Sequence, residues 1–170
     1  VAESAFKTEI NEGNRCGRQD QWASVNGGFN RFLFIVDGVE KLPFEPAPSA
    51  KKWLKKHLII AHSGIQHKSG DMQNLVWSRY DSGDQDVIDG LHTIRLATRM
   101  MVDALQRDHR QLVVDSLNEI CKGVDLLDPS IHQPFRDIIE PMLADGLVMA
   151  WKALGAGGGG CVALLCCLLY

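Results

Sequence analysis

From Gly155 to Gly160 the sequence reads GAGGGG, five glycines in six positions. Glycine loses more backbone freedom on folding than any other residue, so such a run persists where a neighbour must come close to the main chain. Successive amides without side chains can converge on one concavity and hold phosphate oxygens. Gly155, Gly157, Gly158, Gly159 and Gly160 are therefore candidates for a nucleotide or phosphoryl site, the competing interpretation being a flexible turn between two strands. The run does not spell GxxxxGK[ST], and it precedes an apolar stretch where a dinucleotide fingerprint would open a helix.

Asp20, within GRQDQW (17–22), is the second candidate. A carboxylate beside a Gly/Arg/Gln loop suits a base for a hydroxyl nucleophile, as in phosphoryl transfer, where catalysis is mainly positioning and charge stabilisation. The same residue also suits a helix cap. Two other groupings are weaker. His62 and His67 flank Ser63-Gly64, but no G-x-S-x-G elbow surrounds the serine. Asp81, Asp84, Asp86 and Asp89 lack the glycine and terminal glutamate of a calcium loop and read as a solvated acidic segment. No residue is assigned as a metal ligand.

The elements that would position these groups follow from periodicity. Ala2, Ala5, Phe6 and Ile10 form a helical face at the very start, as though a helix continued from preceding sequence, and 19–25 reads as a second short helix stopped by Asn26, Gly27 and Gly28. RFLFIV and VEKLPF form a hairpin about Asp37-Gly38. Pro46, Pro48 and Ser49 read as a linker with a domain boundary nearby, and HLIIAHSG as a short buried strand. KKWLKK (51–56) reads as a short helix with Trp53 and Leu54 inward. Val87 to Leu105 and Val113 to Val124 keep helical spacing, as do Phe135 to Met142, where Pro141 should kink or end the helix. The order argues for an α+β fold with helices on one face of an antiparallel sheet.

Composition narrows the function classes. A net charge of −3 and a pI near 6.1 offer no basic face for nucleic acid. The apolar tail CVALLCCLLY is about ten residues, half of what a membrane span needs, so no membrane partner is expected. Five cysteines without metal spacing, three of them in that apolar tail, suggest a reducing cytoplasm.

Together, GRQDQWASVNGGFN (17–30) and KALGAGGGGCVALL (152–165) resemble the GHMP kinase superfamily. The first is similar to the G-K-Q-D-Q-Y-x-x-x-x-G-G segment of its heptose-phosphate kinase and fucokinase branch, the second to that branch's K-L-x-G-A-G-G-G-G-C ending. The resemblance implies that 1–48 finish an S5-like N-terminal domain and 49–170 form a ferredoxin-like GHMP kinase C-terminal domain. It implies Asp20 as the catalytic base and the glycine run as the loop supporting the ATP site. Gly17, Gln19, Gly27, Gly28, Ser63 and Gly64 would line the acceptor pocket. His67 stands where the family has an arginine. The implied activity is transfer of a phosphoryl group from ATP, with Mg2+, to a hydroxyl of a sugar or sugar phosphate. The family's P-x-x-x-G-L-G-S-S loop, with its magnesium ligands, would lie in a missing N-terminal half or come from another protomer. The chain alone would then be inactive. The alternative is a non-catalytic kinase half that binds a sugar or a partner. The resemblance also makes Trp151 to Leu154 a strand, where periodicity alone would let a helix run through.

Overall fold

A computed structural model describes residues 1–13, 16–65 and 69–167; His67 lies outside them. Helices α1 (Ala2–Asn11) and α2 (Gln19–Asn26) precede a hairpin of β1 (Arg31–Ile35) and β2 (Gly38–Leu42). Then come α3 (Pro48–His57), β3 (Leu58–His62), α4 (Ser69–Asp81), α5 (Gln85–Gln106) and α6 (Arg110–Leu127). A 3-10 turn (Pro129–Ile131), α7 (Gln133–Ala144), β4 (Val148–Ala153) and β5 (Cys161–Cys166) complete the chain. The fold is α+β. Its second sheet is antiparallel in the order β3-β5-β4, with β5 central.

Two apolar clusters hold the sheet to the helices. Trp53, Ala104, Leu105, Val113, Ala150 and Leu165 form one; Phe135, Ile139, Trp151, Val162 and Leu164 belong to the other. A register shift between Val148 and Ala150 explains why Val148, Trp151 and Ala153 share the second cluster despite their odd spacing. Asp84 caps α5 by accepting from the Asp86 amide at 3.0 Å, and His109 caps α6 by accepting from Leu112 at 3.1 Å. The two long helices cross at glycine. A Cβ on Gly90 would stand 2.6 Å from the Gly123 carbonyl oxygen, and one on Gly123 would stand 2.9 Å from that of Gly90.

Several expectations change. Pro141 does not end α7: it removes one amide donor, and the helix runs on to Ala144 before Gly146, at φ 69°, turns the chain away. The hairpin turn is Val36-Asp37, with Gly38 already paired to Ile35. Neither turn residue has positive φ, so it is not the turn that Asp-Gly at its centre would make. Strand β3 is an exposed edge rather than a buried strand, with Ile60 56% accessible. Pro46 is fully buried, the Ala47 amide donates to the Leu105 carbonyl at 2.9 Å, and α3 starts at Pro48, so 46–49 is packed against α5. Ala2 is buried, whereas Leu33 to Ile35 are exposed. As the resemblance implied, 151–153 is strand.

His132 is completely buried, stacked 4.6 Å from the Trp151 ring, with Nδ1 2.9 Å from an Asp125 oxygen. Its Nε2 has no partner, and burial holds its pKa below the ordinary histidine value even though Asp125 pulls the other way. The folded state therefore prefers neutral imidazole. That contribution to stability is complete above the unfolded value of about 6.5 and is lost as pH falls through the lower folded value.

Two outcomes are expected. The urea midpoint should decline between pH 7 and pH 5, and His132→Gln should flatten that decline. Gly90→Ala gains about 1 kcal/mol of helix propensity but meets a carbonyl oxygen, so a net loss of about 1–2 kcal/mol is expected from urea unfolding at unchanged slope.

Candidate functional site

The start of α2 is held from outside. Arg18 lies over the Phe6 ring at 4.9 Å and pairs with Glu3 at 3.6 Å, while Gln21 Nε2 donates to Glu9 at 2.6 Å. Arg18 is the N-cap residue, and no side chain makes a capping hydrogen bond. Asp20 sits inside the first turn, so the capping interpretation of its carboxylate does not hold. Its charge instead faces the positive end of the helix, where carboxylates are favoured, and the residue is exposed.

Gly17, just before α2, meets the glycine run across a cavity of about 220 Å³. One rim is Gly17, Lys152, Gly155 and Ala156; the floor includes Met72, Leu127 and Ile131. Among the described residues, Lys152 is the one charged residue that lines the cavity. Its Nζ donates to the Ala153 carbonyl at 2.7 Å. Burial pushes its pKa below the ordinary lysine value, and the charges of Cys121 and Asp20 oppose that push. Burial drives the Cys121 thiol up to about 12, and Sγ donates to the Trp151 carbonyl at 2.6 Å, so it stays protonated near neutrality. Asp20 is the carboxylate whose charge opposes the push on Lys152, as the smaller of the two contributions.

The glycine run is neither loose nor fully open. Gly155, Gly157, Gly158, Gly159 and Gly160 have φ of 68°, 75°, 74°, 154° and 73°, a region side chains disfavour. Gly157 and Gly159 are buried. A Cβ on Gly157 would overlap the Ile131 side chain and stand 2.9 Å from its carbonyl oxygen; one on Gly158 would press on Met72. The Gly158 amide donates to Ile131 O at 2.8 Å and the Gly160 amide to Ile65 O at 3.1 Å. Two amides of the run are therefore committed to fastening the loop, and the face left toward the cavity is at Gly155 and Ala156.

The remaining sequence candidates divide. Ser63 is tied to the run, its amide donating to Gly160 O at 2.8 Å, and its hydroxyl accepts from the Ile65 amide at 3.1 Å; Gly64 follows at φ 76°. Gln19 folds back over Gly17. Gly27 and Gly28 lie at the other end of α2, about 12 Å along the axis from its start, exposed and with positive φ. Sequence reasoning gave Lys152 no role. Its signal was a single charge inside the apolar strand VMAWKAL, within the stretch that carries the kinase resemblance.

No family model matches the chain, and no curated protein matches it. Among solved structures it is similar to a Campylobacter jejuni chain described as "Putative Sugar Kinase", at 21% identity and a TM-score of 0.56. The two share a fold. The likeness covers 97% of this chain but 46% of that one, so this chain spans less than half of its structural neighbour. No helix among the described residues is long and apolar enough to cross a membrane.

The run makes a graded prediction. Gly155→Ala meets no atom within 4 Å and pays only left-handed strain, about 1–2 kcal/mol. Gly157→Ala adds overpacking against Ile131, about 1–3 kcal/mol more, and denaturant titration should rank the two in that order.

Proposed function

We propose that this chain is the C-terminal portion of a GHMP-type kinase that phosphorylates a hydroxyl of a sugar or sugar phosphate at the expense of ATP. One observation carries the reading: Gly17, which opens the turn leading to Asp20, and Gly155, which opens the glycine run 138 residues later, line one cavity together with Lys152. The two stretches that resemble the kinase family are thereby brought together. The fold shared with a sugar-kinase chain supports the same reading at the level of architecture.

In this reading Asp20 accepts the proton of the acceptor hydroxyl as that oxygen bonds to the γ-phosphorus of ATP, and the bond from phosphorus to the departing ADP oxygen breaks. Gly17 and Gln19 lie on the acceptor side, with Ser63 and Gly64 fixed to the glycine run. Gly27 and Gly28 would contribute by ending α2 and leading the chain into the hairpin. Mg2+ finds no donor set here: no cluster of three His, Cys, Asp or Glu among the described residues could hold a metal ion. No step is assigned to it in this chain. The rest of the ATP site would come from an N-terminal half or another protomer, covering the exposed Leu33 to Ile35 strand. A cytoplasmic setting fits such a reaction.

Asp20→Asn tests the central role. In a polypeptide carrying both halves, turnover should fall by roughly a hundred-fold to ten-thousand-fold with the fold intact by circular dichroism. Near-normal turnover would remove the base from the reading.

A further inference from the structure

A lysine in the wall of a largely apolar cavity is a costly arrangement unless negative charge meets it. Lys152 has three ammonium donors, and one goes to its own strand at Ala153 O. Its carbon stem descends from β4, immediately before the glycine run, and it shares the cavity rim with Gly155 and Ala156. Gly155 bears no side chain and has open space where one would be, so an anion can reach the rim there. Gly17 lines the same cavity, with Asp20 three residues on. Of the other titratable groups near Lys152, Cys121 is a protonated thiol hydrogen-bonded to Trp151 O, and His132 is neutral and turned to Asp125. Neither competes with an incoming anion.

We propose that Lys152 is a phosphoryl-oxygen ligand of this site, its ammonium meeting an oxygen of a phosphoryl group bound in the cavity beside Gly155. The proposal rests on the phosphotransfer reading and adds to it a residue for binding. A cation in the wall offsets the charge of phosphoryl oxygens brought into the cavity, and the apolar lining strengthens that attraction. The glycine run then has a defined part. It does not wrap the anion with its own Gly158 and Gly160 amides, which are committed to Ile131 and Ile65, but keeps the rim beside Lys152 free of side chains.

Inorganic phosphate is the probe, titrated into the 170-residue chain at pH 7 and followed by the Lys152 Nζ and Cε resonances and by calorimetry. Phosphate should shift the Lys152 signals saturably, Lys152→Met should weaken binding by about tenfold or more, and Lys152→Arg should restore most of it. Lys152→Gln provides a second neutral variant should the methionine form fail to fold. Binding that is absent, or equal in the neutral and charged variants, overturns the proposal. This outcome is independent of turnover. An absence of phosphotransfer in the polypeptide carrying both halves would sink the kinase reading, while phosphate binding lost with Lys152→Met would still locate the anion site.

Discussion

The site depends on a desolvated lysine in the wall of a cavity where two distant parts of the chain, at Gly17 and at Gly155, come together. Lys152 stands on a strand whose neighbours Trp151 and Ala153 are core residues, and burial works against its charge. Asp20, in the first turn of α2, opposes that shift only in part. Neither residue alone makes a site: an exposed carboxylate at a helix start is common, and a lone lysine beside a core strand is an energetic liability. What makes a candidate site is that the fold brings Lys152 and Gly17, three residues before Asp20, to one cavity.

That convergence is produced by ordinary packing. Arg18 on Phe6 and Gln21 on Glu9 fix where α2 begins. The amides of Gly158 and Gly160, with that of Ser63, tie the glycine run to the 3-10 turn and to the end of β3. The 3-10 turn follows directly on α6, and α6 is located by its close crossing of α5 at Gly90 and Gly123. The loop's position is therefore inherited from helix packing. Its glycines are needed first for fit: Ile131 and Met72 occupy the space that side chains would take.

Much of this was legible in the sequence. Helices α5 and α6 followed from apolar periodicity, and the hairpin from two β-rich runs about Asp37-Gly38. Asp20 and the glycine run stood out by residue type and by family resemblance. What the sequence hid depended on tertiary contacts. The buried Pro46 segment looked like a linker because proline and serine also mark turns, and only the Leu105 carbonyl shows that it is packed. Strand β3 looked buried because LIIA is apolar, yet it lies at a sheet edge. The crossing at Gly90 and Gly123 left only isolated glycines in helical patterns, and Lys152 left only one charge among apolar neighbours. Which residues face one cavity is not written in periodicity.

The titration of Lys152 tests the account most directly. Selective labelling of the lysine side chain would give its midpoint by NMR in the native chain and in Asp20→Asn. The account predicts a native midpoint below the ordinary lysine value of about 10.4, and a further fall when the Asp20 charge is removed. A native midpoint at the ordinary value would contradict the burial of Lys152, and one that does not move in Asp20→Asn would show that the Asp20 charge does not reach it; either result contradicts the account.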